Sequence, residues 1–580
     1  MGSAGSGVTE ATTRARTLLT FAAIAVALAA ADTYVVVLAL TDMMQGVGLG
    51  IESLQRAAPI ISGFLLGYVA VLPLIGRLAD LLDRQRVLLG CVAIFVVGSG
   101  VTALAVDLSV LVAGRVIQGI GGGGLVPATL AIVAALWPED RRGLPLGIVG
   151  GVQELGSVLG PILGALILAV ADWRAIFWLN AFGGIVLALL IARVGGRGRD
   201  SGSTASGEVA SGGRARGIRR VVVGAALVVL GLALWAPDLL ASSVNLGGPF
   251  VPFGTSTARL MTPIGVVGLV LAAAALVLVL RHAWPVLRRA DPIGAGLLGG
   301  ALGCIVLTFA ASDPEREIVG PLGFALVPLA VICALAYAAV HRRSPDPVIP
   351  RGVLRGRTVW SLLVSLLVGV ALVAVVVDVP LLARLIHEQV PGGSSPATEG
   401  AFILVRFLLA VPVGAVVGGA LLRRLGDGLV SGLGLVLATI GLAVMTTYGR
   451  GSFADFSSYA VLALAGFGIG LALAPVNNAA LADAPQDAHG TASALVVVAR
   501  MVGMVVGIAL LTAIGLHHYY GVVAALPDPS DRVALVDAGI AQVHAVLYGA
   551  TVAAALGALA SIKLGLQRRD PVDGARTLGL

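Results

Sequence analysis

Gly76-Arg77-Leu78-Ala79-Asp80-Leu81-Leu82-Asp83-Arg84-Gln85-Arg86 is a charged island between two apolar runs, near 57–75 and 87–106. Each run holds about the twenty residues a helix needs to cross a bilayer, so the island reads as a turn on one membrane face. Its glycine permits a tight turn, and Asp80 is placed to accept the unpaired amides of a nearby helix N-terminus.

Outward from this island the pattern repeats. Sixteen apolar segments are predicted, near 18–40, 57–75, 87–106, 110–136, 144–170, 175–195, 221–241, 262–280, 292–312, 319–340, 358–381, 400–422, 429–447, 456–480, 491–515 and 543–564. Across the 580 residues, apolar side chains make up 58% and charged ones 12%, against roughly 45–50% and 25% in soluble domains. So little charge does not cover so much apolar surface in water, which makes lipid the solvent. Glycine, 79 residues, suits closely packed membrane helices rather than soluble ones.

The net charge of +7 is explained by where it lies. With the N-terminus inside, the inner connections and tails hold 28 of the 38 basic residues and the outer ones seven; Arg115, Arg406 and Arg500 fall within spans. This is the positive-inside bias, and it removes the need for a nucleic-acid partner. It predicts a multi-pass protein of the plasma (inner) membrane with both termini cytoplasmic. Cys91, Cys304 and Cys333 lie far apart in apolar runs, without metal-ligand spacing.

The island has a counterpart. Gly76-x-Leu78-x-Asp80 recurs as Gly419-x-Leu421-x-Arg423, an offset of 343; Glu154 before Gly156 and Gly160 recurs as Arg500 before Gly503 and Gly507, an offset of 346; Pro127 recurs as Pro475, an offset of 348. Three matches in order argue for two homologous six-helix halves. The organisation that follows is an N-terminal tail (1–16), a six-helix bundle (17–195), a Gly/Ser/Arg-rich linker (196–220), an extra hairpin (221–281), a central helix pair (282–357), a second six-helix bundle (358–565) with an outer loop at 516–542, and a C-terminal tail (566–580). Pro237-Asp238 interrupts the first arm of the hairpin. If that hairpin is re-entrant or peripheral, the count falls to fourteen spans.

On these motifs the sequence resembles the major facilitator superfamily, in its drug/proton antiporter branch with extra central helices. Gly76-x-Leu78-Ala79-Asp80-x-x-x-Arg84-x-Arg86 resembles the family's loop motif between spans two and three, with Leu81 and Asp83 as departures. Arg115-x-x-Gln118-Gly119 resembles its fourth-span motif. Gly156-x-x-x-Gly160-Pro161-x-x-Gly164 resembles its fifth-span antiporter motif, and Trp173-Arg174, Phe177 and Asn180 the run after it. Asp32-Thr33-Tyr34, Gln153-Glu154-Leu155-Gly156-Ser157 and Val498-Ala499-Arg500-Met501 resemble the mycobacterial triacylglycerol exporter group, also described as multidrug efflux pumps. The resemblance implies an all-α transporter, export of lipid or hydrophobic small molecules, proton antiport, and a periplasmic lipid-carrying lipoprotein as partner.

Charge inside a bilayer costs about 2.5–3.5 kcal/mol per residue on insertion scales, so buried charges mark function. Asp32 is expected to be the principal proton carrier and Glu154 the second, with Arg500, Arg115 and Arg406 as counter-charges. Gly76, Asp80, Arg84 and Arg86 form an expected conformational latch. Gly156, Gly160, Pro161 and Gly164 form a face for close packing and bending. No Gly-x-x-x-x-Gly-Lys-Ser/Thr phosphate loop occurs, and no nucleophile, base or metal cluster marks an enzyme. No cofactor is expected.

Overall fold

The computed structural model describes residues 3–49, 54–196, 212–243, 247–253, 258–310, 323–387, 396–449, 452–453, 456–528 and 531–565. The 566–580 tail and most of the 196–220 linker lie outside them. The described chain is helical throughout, with each sixteen-segment prediction falling on a helix. The first bundle comprises α1 (Ser3–Gly46), α2 (Leu54–Leu81), α3 (Arg84–Ala103), α4 (Leu108–Leu136), α5 (Gly143–Leu168) and α6 (Arg174–Gly196). The insert comprises α7 (Gly212–Trp235), the one-turn α8 (Asp238–Ala241), α9 (Pro263–Arg289), α10 (Pro292–Ala310) and α11 (Gly323–Arg343). The second bundle comprises α12 (Gly356–His387), α13 (Pro396–Leu425), α14 (Asp427–Met445), α15 (Phe456–Ala482), α16 (His489–Ala524) and α17 (Arg532–Ser561). Among the described residues fifteen helices are long and apolar enough to span a membrane, and Pro292–Thr308 is a shorter apolar one.

The repeat found in sequence is a repeat of packing. In the first bundle α2 and α3 pack on α4, α1 on α5, and α3 on α6; in the second α13 and α14 pack on α15, α12 on α16, and α14 on α17. The halves then meet along two seams, α2 against α16 and α5 against α13. Both seams are built from glycine. A side chain at Gly76 would meet Ala494 Cβ at 2.6 Å and the Gly490 carbonyl at 2.8 Å; one at Gly143 would meet the Gly419 carbonyl at 2.7 Å. Such approach is open only to residues without a Cβ. The insert covers one seam. α10 lies on α2 and α16, while α7 and α9 pair mainly with each other.

Three expected stretches take a definite local form. The N-terminal tail is helical from Ser3 onward, continuous with the first span. The first arm of the hairpin ends at Trp235 rather than 241, because Ala236 takes a positive φ of 43° before Pro237 and breaks the helix. The expected outer loop at 516–542 is mostly helix. α16 runs 36 residues, about 54 Å at 1.5 Å per residue and well beyond a ~30 Å hydrocarbon core. α17 restarts at Arg532, where the Asp531 side chain accepts from the Val533 and Ala534 amides. His517, His518, Tyr519 and Tyr520 interrupt hydropathy without breaking the helix.

Candidate functional site

Two carboxylate–arginine pairs and one capping carboxylate emerge from this packing. Asp32, on α1, is buried against α4 and α6. Gly119 brings α4 close against the Phe64 backbone of α2, and Gly98 brings α3 against Gln118. That approach sets Arg115 and Gln118, one turn apart on a shared face of α4, beside Asp32. Arg115 Nη1 donates to Asp32 Oδ2 at 2.5 Å. Gln118 Nε2 donates to Asp32 Oδ1 at 2.9 Å, and Asn180 Nδ2 donates to the same oxygen at 2.5 Å. Arg115 also donates to Gln118 Oε1 at 2.7 Å and to the Ile60 carbonyl at 3.3 Å, and Gln118 donates to Ser99 Oγ at 3.0 Å. The guanidinium sits over the Phe64 ring, 4.5 Å from its centroid. Asp32 and Arg115 are each 1% exposed. The network is closed and lies wholly within the first bundle.

The second pair crosses between bundles. Glu154 on α5 and Arg500 on α16 meet at 3.4 Å, a long contact and the only hydrogen bond described for either carboxylate or guanidinium. Gly156 and Gly160, on the same helix as Glu154, pack against the Ala27 and Ala31 backbone of α1; Gly164 is buried and Pro161 lies within the continuous helix. Glu154 and Arg500 line a cavity of about 80 Å³ with Tyr68, Gln153, Ser157 and Met504. Arg500 also borders a smaller one of about 20 Å³ beside Asn477.

Asp80 does what its position at a turn suggests, but for a helix of the other half. Its Oδ1 accepts from the Gly490 amide at 2.6 Å, and its Oδ2 from the Thr491 amide at 2.9 Å and the Thr491 hydroxyl at 2.7 Å. These belong to the first turn of α16, whose own N-cap, Ala488, offers no side-chain cap. The Asp83 departure has a local role, capping α3 by accepting from the Arg86 amide at 3.0 Å. Among the described contacts neither Arg84 nor Arg86 pairs with Asp80; Arg86 is exposed and Arg84 Nε is buried without a hydrogen-bond partner. A second tie joins the halves on this face: Arg142 Nε donates to Asn478 Oδ1 at 2.7 Å, and Asn478 Nδ2 donates to Asp427 Oδ1 at 2.7 Å.

Arg406 stands apart from the expected charge partners. It donates to the Tyr459 hydroxyl at 2.6 Å, lies 3.4 Å over that ring, and leaves Nη1 buried without a partner. Asp378, on α12, is buried. Gln118, Asn180, Ser99, Tyr68, Arg142, Asn478 and Asp427 carry no site role in the sequence reading. The available signal was a polar residue inside or at the end of an apolar run, the same signal that marks the charges.

Comparison with known proteins agrees with this architecture. A family model described as the Major Facilitator Superfamily matches residues 22–341 and 318–508. A triacylglyceride transporter of Mycolicibacterium hassiacum is 35% identical over 508 residues, covering 86% of this chain and 78% of that protein. A triacylglyceride transporter of Mycobacterium tuberculosis is 32% identical over 557 residues, covering 92% and 90%. Among solved structures, the human organic anion transporter MFSD10 superposes with a TM-score of 0.51 at 15% identity, covering 93% of this chain and 99% of that one. The proton:xylose symporter XylE superposes with a TM-score of 0.50 at 12% identity, covering 93% and 95%.

Proposed function

This chain belongs to the major facilitator superfamily and is a multi-pass membrane transporter rather than an enzyme, and we propose that it exports triacylglycerol or a related lipid across the plasma membrane in exchange for protons. The named relatives support the lipid. The observation that carries the coupling is the Glu154–Arg500 contact, a buried charge pair between the two moving bodies and beside a cavity.

The arginine bias of the connections makes the 76–86 face cytoplasmic. Asp80 and Arg142 tie the halves together on that face, so this conformation is closed to the cytoplasm. A cavity of about 80 Å³ holds a few waters and is far too small for a triacylglycerol. Transport therefore requires the halves to part. Protonation of Glu154 removes its attraction for Arg500, and a carboxyl facing water again releases the proton; desolvation and a nearby arginine pull a carboxyl's proton affinity in opposite directions, which is what alternating exposure exploits. Glu154 takes first place in this reading and Asp32 second, because Asp32 already has every oxygen satisfied within one bundle. Each proton moving inward yields about 1.4 kcal/mol per pH unit and about 2.3 kcal/mol per 100 mV. The helical extension of α16 and α17 would face the periplasm, where a lipid-carrying lipoprotein could accept the product.

The test is transport of fluorescent triacylglycerol and of a cationic dye in proteoliposomes, with and without a pH gradient, for the native chain, Glu154→Gln and Asp32→Asn. Gradient-driven lipid movement abolished by Glu154→Gln is the expected result. Dye movement without lipid movement would make the chain a multidrug/proton antiporter, and flux indifferent to the gradient would end the proton reading.

A further inference from the structure

The two seams between the halves are built alike and finished differently. At the α2/α16 seam the capping carboxylate Asp80 comes from this chain, and α10 covers the outside. At the α5/α13 seam the residue in the equivalent place, offset by 343, is Arg423. Beside it opens a cavity of about 960 Å³, bounded by the inner ends of α1, α4, α5 and α13. Arg16, Arg141 and Arg423 line it, all exposed. Its remaining walls include Leu19, Leu136 and Trp137, and among the described residues no carboxylate lines it. Among the described residues Arg141 meets only the exposed Asp140, at 3.5 Å, and no ion pair engages Arg16 or Arg423.

We infer that this cavity is a binding site for the headgroup of an anionic phospholipid of the inner leaflet. Three arginines from both bundles converge at the helix ends, the depth at which lipid phosphates lie. Guanidinium matches phosphate with two parallel hydrogen bonds and is less strongly hydrated than an ammonium. The apolar wall runs from Leu136 and Leu144 at this basic rim to Leu19 and Ile148, a turn or more into their helices, which suits a molecule that is charged at one end and apolar along the rest. A free phosphate would use the rim alone. Because Arg16 and Arg141 belong to one bundle and Arg423 to the other, an anion held by all three exists only while this seam is closed. The lipid therefore binds the cytoplasm-closed state in preference, and by linkage stabilises it. It stands where the other seam has Asp80, as a negative group supplied by the membrane instead of the chain.

The test uses the full-length protein in nanodiscs and reads Trp137, which lines the cavity. Tryptophan quenching by brominated phosphatidylglycerol or brominated phosphatidylcholine is measured, and the Trp137 contribution is taken as the difference from Trp137→Phe. Phosphatidylglycerol is expected to quench Trp137 preferentially, with apparent affinity falling about fivefold per arginine removed through Arg16→Gln, Arg141→Gln and Arg423→Gln. A variant with Arg342→Gln, Arg343→Gln and Arg351→Gln, removing equal charge elsewhere on the same face, is expected to keep the preference. Loss of the preference in both triple variants would reduce the site to general surface charge and overturn the inference. So would equal quenching by the two lipids in the native chain, or displacement of the lipid by millimolar inorganic phosphate. Binding needs no transport, so failure of the export assay leaves this test standing.

Discussion

Asp32–Arg115, inside the first bundle, and Glu154–Arg500, between the two bundles, are both buried charge pairs, yet they are held in opposite ways. Asp32 has three donors on its two oxygens, and its arginine has further acceptors at Gln118 and Ile60. Glu154 has one donor at 3.4 Å and a cavity beside it. The first pair joins helices of one bundle; the second joins residues 346 apart in sequence, on helices of different bundles that the proposed cycle would part. A buried charge is costly unless fully satisfied. In the proposed cycle the closed network would serve as a fixed strut, and the sparse pair as a contact cheap enough to break each time the halves part.

The largest effect expected from this contrast is at Arg115. Arg115→Leu leaves the Asp32 carboxylate buried without its counter-charge, and breaking such a pair costs about 3–5 kcal/mol. Thermal unfolding in lipid nanodiscs should show it as a large fall in midpoint. A fall no greater than that of a surface variant would mean that the network is not a strut, and the two pairs would no longer differ in kind. Asn180→Ala is the next test. It removes one of two donors to Asp32 Oδ1 while Gln118 remains, and a lost hydrogen bond to a charged group is worth about 1.5–3 kcal/mol. A cost as large as that of Arg115→Leu would assign the amides, and not the guanidinium, the main hold on Asp32.

Asp80 resembles Glu154 in reaching across the halves and Asp32 in being fully engaged. Asp80→Asn keeps the size of the side chain but loses a charged acceptor at the N-terminus of α16, an effect of about 1 kcal/mol. That corresponds to roughly a fivefold fall in the closed-to-open ratio. Spin labels on the inner ends of α2 and α16 would report it as a longer-distance component, and Asp80→Glu should recover part of the short one. An unchanged distance distribution in Asp80→Asn would make the 76–86 motif an idle turn.

Much of this was legible in residues, for a physical reason. A bilayer forces each span to satisfy its own backbone, so hydropathy alone locates helices, and the glycine seams follow from the repeat of Gly76 at Gly419. The capping role of Asp80 was legible as a role, because a short acid beside a turn seeks amides, but its partner lay 410 residues away at Gly490. Pairing was the illegible part. Arg115 with Asp32 and Arg500 with Glu154 are set by helix rotation, which isolated charges in apolar runs do not encode. Arg406 shows the same limit from the other side, since its partner is the Tyr459 ring and not an acid. The 516–542 region was read by hydropathy where helix continuity governs: nothing breaks α16 until Pro527, and Asp531 marks the next N-cap.

The smallest stability effect and the largest functional one are expected at the same place. A double-mutant cycle of Glu154→Gln and Arg500→Gln should return a coupling of about 0.5 kcal/mol, the low end for groups in contact. The glutamine keeps an oxygen for Arg500, and the adjoining cavities admit water to whatever is left unpaired. Gradient-driven transport by Glu154→Gln should nevertheless vanish, because an amide at that place carries no exchangeable charge between the halves. A coupling of about 3 kcal/mol or more would put this pair in the same class as Asp32–Arg115, a strut whose loss stops transport by unfolding the interface. A small coupling with transport lost separates the two roles: what holds one bundle together is expensive to remove, and what lets two bundles part is inexpensive by construction.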